Sequence, residues 1–278
     1  MSPIVASISL EEVISYINWT YFFNAWQIPG NYEGITSLCM CEACRQQWLT
    51  RFSSGERNKA QEALRLYMDA QAQLKEWKEK QTLTIQVKYG FYDASSSGQL
   101  ITLRNDSSCL TIPTLRQQRP RPDGTCWALS DFVAPETDTV GLFAVAVHGV
   151  DEGNDDAYVS LLQRTLADRL AEATSEYMQH KLLVQNAIRP AFGYPSLPDL
   201  SLLFDVERFF ALSEIGIRLT HHAAMQPTSS ICGLYIQHPQ VRYFVVGDIS
   251  MQQFTWYAKQ RNMSVQTLKP FLNLNVLP

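Results

Sequence analysis

A change of hydrophobic period partway along the chain is what most narrows the folds open to it. From Lys59 to Gln81, Ala60, Ala63, Leu64, Tyr67, Gln71, Leu74 and Trp77 recur at three- and four-residue intervals, the spacing of one buried helix face. Directly afterwards Ile85, Val87, Tyr89 and Phe91 alternate, Ser95-Ser96-Ser97-Gly98 turns the chain, and Leu100-Ile101-Thr102-Leu103 returns as the second arm of a hairpin. Helical patterning also covers 10–26 and runs from an acidic turn at Asp151–Asp156 to about Val184, where Leu162, Leu166, Leu170, Ala173 and Tyr177 form the inner stripe. Asp199 can cap a further helix to about Leu212, Met251 to Asn262 reads as helix, and Ser264 can cap a last one to Leu272. Strands are expected at Cys109–Ile112, Cys126–Leu129 and Val140–His148, with a second hairpin around His238-Pro239 from Ile231–Ile236 and Arg242–Ile249. Helices and strands are segregated rather than alternating, which predicts an α+β fold with an antiparallel sheet. With no repeat and no linker-like run, residues 1–278 read as a single domain whose N-terminal part, about 10–82, is helical.

Composition excludes several functions. With 46% hydrophobic and 18% charged residues the chain is an ordinary globular protein, and a net charge of −4 argues against a nucleic-acid or anionic-membrane surface. The longest apolar run, Leu142 to Val147, is far too short to cross a bilayer, and the first residues lack the basic region of a signal peptide. A cytoplasmic protein is expected. The sequence holds no Gly-x-Gly-x-x-Gly, no phosphate loop and no nucleophile elbow, so nothing points to hydrolysis. His148 ends a strand and reads as structural, and His221-His222 as a surface pair whose rings face different ways.

Cys39, Cys41 and Cys44 form Cys-x-Cys-x-x-Cys. Three thiolates and one more ligand could hold zinc or an iron–sulfur cluster. The second Cys-x-x-Cys half is absent, and Cys109, Cys126 and Cys232 are scattered. The expectation is no metal, with small apolar cysteines packed on a helix in a reducing compartment.

Between two helical segments lies Arg189-Pro190-Ala191-Phe192-Gly193-Tyr194-Pro195-Ser196-Leu197-Pro198-Asp199. Three prolines restrict the backbone and one glycine opens angles closed to other residues, so the segment is a stiff loop of few conformations. It suits either a rigid connection or a surface holding a small polar molecule, with Arg189 offering a forked donor to a carboxylate or pairing with an acid such as Asp199.

The same loop resembles the Arg-Pro-Ala-x-Gly-Tyr-Pro motif of the activation domain of cobalamin-dependent methionine synthase. Ile17-Asn18-Trp19-Thr20-Tyr21-Phe22-Phe23 with Trp26 is similar to that family's opening segment, and Leu129–Pro135 with Gly141–Val145 to its central strands. Ala167–Ala173 with Glu176-Tyr177 resembles its long helix, and His238-Pro239, Tyr243-Phe244 and Met263-Ser264-Val265 its C-terminal part. The resemblance implies one curved α+β domain, with helices around a mixed, mostly antiparallel twisted sheet. It also implies binding of S-adenosylmethionine in a shallow groove, whose methyl group restores oxidised cobalamin by reductive methylation, with an electron from a flavodoxin-type donor. By the same resemblance Arg189 would hold the methionine end of the cofactor. Ala191 and Gly193 would bring backbone close to it, and Tyr194 would meet the nucleoside. Glu172 would face the ammonium or sulfonium charge, although its position off the apolar stripe reads as a solvated face. Tyr243, which alternation alone reads as packing, would lie near the sulfonium and the cobalamin.

Two departures from the family pattern weaken the expected site. Asn18 stands where the family has aspartate, so a contact to the ligand ammonium would be neutral rather than charge-assisted. Only Lys181 to Ala187 separate the Glu172 helix from the motif, which leaves one further family acid without a counterpart. The residues from about Thr36 to Asn58, including the three clustered cysteines, form an insertion on which the resemblance is silent. The chain starts at its own Met1 and has no cobalamin module, so the expected function is a stand-alone reactivation subunit, a methyltransferase component of methionine biosynthesis. It would dock on a separate cobalamin-carrying methionine synthase that lacks this domain. The alternative is a non-catalytic module that shields a corrinoid protein, its S-adenosylmethionine site decayed.

Overall fold

The protein is described by a computed structural model covering residues 2–39, 41–150, 153, 155–182 and 185–277. In chain order its elements begin with β1 (Ile4–Ile8), α1 (Leu10–Val13), α2 (Trp19–Ala25), α3 (Glu42–Leu49) and α4 (Arg57–Lys80). Four strands follow, β2 (Thr84–Ser97), β3 (Leu100–Arg104), β4 (Cys109–Pro113) and β5 (Asp138–His148), and then the long helix α5 (Ala157–Lys181). The last third holds β6 (Ala187–Ile188), α6 (Leu202–Phe210), β7 (Arg218–Leu219), β8 (Met225–Gln226) and β9 (Ser230–Gln237). It closes with β10 (Ile249–Ser250), α7 (Met251–Gln260), α8 (Val265–Leu268) and β11 (Val276–Leu277).

One sheet of order β4-β3-β2-β5-β9-β6, with β1 added along β2, organises the molecule, and all its pairings are antiparallel. The only parallel pairing among the described residues joins β10 to β11. β5 lies at the centre. Its apolar run is buried on both sides because the pleat sends alternate side chains into two cores. Phe143, Val145 and Val147 face the layer built by α1 to α5, whereas Leu142, Ala144 and Ala146 face α6, α7 and α8. The α+β reading therefore holds, with helices on both faces of an antiparallel sheet. Among the described residues, no helix is long and apolar enough to cross a membrane.

Several local readings are corrected. The helical pattern of 10–26 breaks into α1, a short 3-10 turn (Ile14–Tyr16) and α2, because the Asn18 side chain accepts a hydrogen bond from the Tyr21 N–H at 3.2 Å and restarts the helix there. β1 had no counterpart in the sequence reading; it pairs with β2 from Ile4 opposite Tyr89 to Ile8 opposite Ile85. Cys126–Leu129 is not a strand. Asp131 accepts from the Ala128 N–H (2.9 Å) and is gripped by Arg116 (2.6 Å), which folds Leu129–Phe132 into a 3-10 turn.

The second hairpin is also replaced. β9 forms, but 242–248 makes no ladder with it, since that side of β9 is taken by β6 and the motif loop. The helix after Asp199 starts at Leu202, while Asp199 itself accepts from the Ser201 N–H at 2.8 Å. His221 and His222 sit in a turn rather than a strand, so their exposed rings meet, with centroids 3.8 Å apart. α5 ends at Lys181. Val184 and part of the acidic turn (Asp151, Glu152, Asn154) lie outside the described residues, and Asp156 caps α5 by accepting from Tyr158 and Val159.

Candidate functional site

The proline-rich loop crosses against β9 rather than hanging from the surface. The Leu234 N–H donates to the Pro190 carbonyl (3.0 Å) and the Phe192 N–H to the Cys232 carbonyl (3.0 Å), so the loop continues the sheet edge that β6 begins. This approach requires Gly233, where a Cβ would stand 2.6 Å from the Pro190 oxygen. The loop then tightens on itself, with Gly193 N–H to Leu197 O and Leu197 N–H to Tyr194 O both at 2.8 Å. Gly193 turns the chain at φ +87°, and Leu200 packs where its side chain would be.

The far end of the loop is pinned by Asp199, which is fully buried. It accepts from Arg261 Nε (3.1 Å), from the Tyr257 hydroxyl (3.0 Å) and from the Ser201 N–H. Burial raises the Asp199 carboxyl above its ordinary value, and Arg261 pulls against that rise. Arg189 does not pair with Asp199. Its guanidinium turns to α5 instead, donating to Gln179 Oε1 (2.5 Å) and lying 3.5 Å from Glu176 Oε2.

These constraints leave a cleft of roughly 640 Å³ beside α5, within the size range of small-molecule sites. One wall is the helix face of Arg169, Glu172, Ala173 and Glu176, and the opposite wall is Arg189, Pro190, Tyr194, Pro195 and Ser196 of the loop. Tyr16, Asn18 and Tyr21 close one end, and Tyr243, Phe244 and Val245 another. Thus Asn18, Glu172, Arg189, Tyr194 and Tyr243, all singled out from sequence, meet at one cleft. Ala191 and Gly193 are not on its wall. Ala191 is buried against β9 and Gly193 lies over Leu200, so both shape the loop from behind.

The polar groups of the cleft hold one another. The Tyr194 hydroxyl donates to Glu172, tying loop to helix, and burial followed by the charge of Glu172 pushes the Tyr194 phenol well above its ordinary value. The phenol therefore remains a donor at neutral pH. The Tyr243 hydroxyl accepts from the Arg189 N–H at 2.9 Å, which fixes a ring that is 59% exposed at the cleft mouth. Asn18 Oδ1 is committed to capping α2. Arg169 contributes a buried Nε with no hydrogen-bond partner among the described residues.

Arg169, Glu176 and the aromatic end residues Tyr16 and Tyr21 were not among the residues expected at the site. A signal did exist for the helix wall. Arg169, Glu172 and Glu176 recur at three- and four-residue intervals beside the apolar stripe, which places two carboxylates and a guanidinium on one helix face. Two acids, two guanidiniums and several aromatic rings in one concave surface suit a zwitterionic ligand with an aromatic part.

Comparison with known proteins agrees with this geometry. A solved structure described as the crystal structure of the MetH reactivation domain bound to AdoHcy is similar over 99% of this chain and 90% of that one, with 27% sequence identity and a TM-score of 0.82. Residues 9–262 match the family described as vitamin B12 dependent methionine synthase, activation domain. The chain belongs to that activation-domain family.

Proposed function

We propose that the chain is a reactivation subunit that binds S-adenosylmethionine in the cleft between α5 and the Arg189–Asp199 loop. The observation that carries this reading is the convergence of Arg169, Glu172, Glu176 and Arg189 around a cleft rimmed by tyrosines. A relative of the same fold holds AdoHcy, the demethylated form of that ligand. The unpartnered Nε of Arg169 also fits a site that completes its hydrogen bonds with a ligand.

In this reading Arg189 meets the ligand carboxylate with its fork, and Arg169 adds charge of the same sign. Glu176 and Glu172 oppose the ammonium and sulfonium. Tyr194 packs on the nucleoside, and Tyr243 faces the mouth where a partner would dock. Bound S-adenosylmethionine would supply a methyl group to oxidised cobalamin carried by a separate methionine synthase chain, with an electron from a flavodoxin-type donor. Asn18 contributes no charge and its acceptor is already used in capping, so affinity is lower than an aspartate there would give.

A thermal-shift titration tests the reading. Ligand that binds only the folded state raises the melting temperature with concentration. S-adenosylmethionine is expected to do so for the wild type, and Arg189→Ala, which removes a charge-assisted contact of about 1.5–3 kcal/mol, should weaken binding by roughly 10- to 150-fold. An unchanged melting temperature at millimolar ligand overturns the proposal and favours a corrinoid-shielding module with a decayed site.

A further inference from the structure

The insertion that carries Cys39, Cys41 and Cys44 lies outside the cleft and serves none of its chemistry. The expectation from sequence was that these cysteines pack as small apolar groups on a helix. The structure places them otherwise: Cys39 and Cys41 are exposed and Cys44 is half-buried. Apolar burial therefore does not account for them. Their Sγ atoms all lie within 4.8 Å of one another, although Cys39 precedes the helix, Cys41 stands at its N-cap and Cys44 is in its first turn.

The frame beneath them is fixed. α3 is anchored by buried Trp48 and Leu49, and the Trp48 indole N–H donates to the Glu33 carbonyl at 3.0 Å. Trp48 packs edge-on against Phe52, with ring centroids 4.7 Å apart. Arg45, next to Cys44 in the chain, donates to Met68 Sδ of α4 at 3.5 Å. The thiols thus stand together at the outer end of a helix whose inner end is locked.

In a tetrahedral thiolate site, metal–sulfur bonds of about 2.3 Å put neighbouring sulfurs about 3.8 Å apart, and three sulfurs already within 4.8 Å of one another need only a small closure to reach that spacing. A helix N-terminus favours the thiolate form that a metal needs. No fourth His, Cys, Asp or Glu joins the group among the described residues. Three thiols are thus the donor set on offer, and a four-coordinate zinc ion held by them has one position left for an exchangeable donor.

We propose that Cys39, Cys41 and Cys44 form a zinc site in which three thiolates hold the ion and the fourth position faces solvent. The ion clamps the start of α3 to the chain before it, so that the insertion presents a rigid surface next to the N-terminal helices.

The test uses the full chain, purified without chelator and reduced, then loaded with Zn(II) or Co(II) and freed of excess metal. One ion per chain is expected, and the Co(II) form should show the d–d bands of four-coordinate cobalt with thiolate charge transfer. Thiol titration of the folded zinc form should gain three reactive thiols when a strong chelator is added. Cys39→Ser, Cys41→Ser and Cys44→Ser should each lose the ion, while Cys109→Ser and Cys126→Ser keep it; circular dichroism checks that each variant is folded. Failure to retain metal, an unchanged thiol count after chelation, a disulfide among the three under reducing conditions, or retention of the ion by the serine variants would overturn the proposal. None of these results depends on the cleft.

Discussion

The two flexible-looking sides of the cleft are built in opposite ways. The Arg189–Asp199 loop is hydrogen-bonded to β9 at one end, to itself in the middle and to the Asp199–Arg261–Tyr257 cluster at the other. The 242–248 segment beside it buries Phe244 and Val246 in the core and leaves Tyr243 and Val245 exposed, and its backbone is held by isolated bonds, such as Val246 N–H to Pro195 O and Gln117 Nε2–H to Val245 O, rather than by a ladder. Stiffness in a segment without regular structure thus comes from where its backbone groups are satisfied. The loop sets the cleft's shape, and the neighbouring 242–248 segment supplies side chains to its mouth.

The comparison breaks most sharply at Asp199. Asp199→Ala removes the buried carboxylate shared by Arg261, the Tyr257 hydroxyl and the Ser201 N–H, leaving Arg261 with Asp205 alone; breaking a buried pair costs up to about 3–5 kcal/mol, and urea denaturation should show it. Gly233→Ala forces β-carbon against the Pro190 oxygen and should cost about 1–3 kcal/mol by the same measurement. It should also weaken S-adenosylmethionine binding in calorimetry, because Arg189 and Tyr194 move with the loop. Asn18→Asp keeps the α2 cap and adds a charge to the cleft, and should tighten that binding by about 1 kcal/mol, roughly fivefold. Val245→Ala, at an exposed side chain of the 242–248 segment, should change stability by less than about 0.5 kcal/mol. If Val245→Ala destabilised as much as Gly233→Ala, the contrast between the two sides would be lost.

How much of this was legible in the sequence depended on whether a residue acts locally or across the fold. The stiffness of the loop was readable because proline and glycine act on their own backbone. The central strand was readable because Leu142–Val147 is an unbroken apolar run. By contrast, 242–249 has apolar positions that suit a strand, and nothing nearby reveals that β9 is already paired on that side. Gly233, which admits the loop there, looks from sequence like any strand glycine. Glu172 reads as a solvated helix residue until Tyr194, brought by a distant loop, donates to it. The three clustered cysteines showed their spacing, but their exposure needed the fold.

The central claim is that a zwitterion-binding cleft persists with less negative charge than the family pattern would give it. Its most direct test is calorimetric titration of S-adenosylmethionine and S-adenosylhomocysteine into the wild-type chain under identical conditions. The account predicts one site per chain for both, with S-adenosylmethionine the tighter because its added positive charge would enter a cleft lined by the carboxylates of Glu172 and Glu176. Absence of saturable binding of either at millimolar concentration, or tighter binding of S-adenosylhomocysteine, would contradict it.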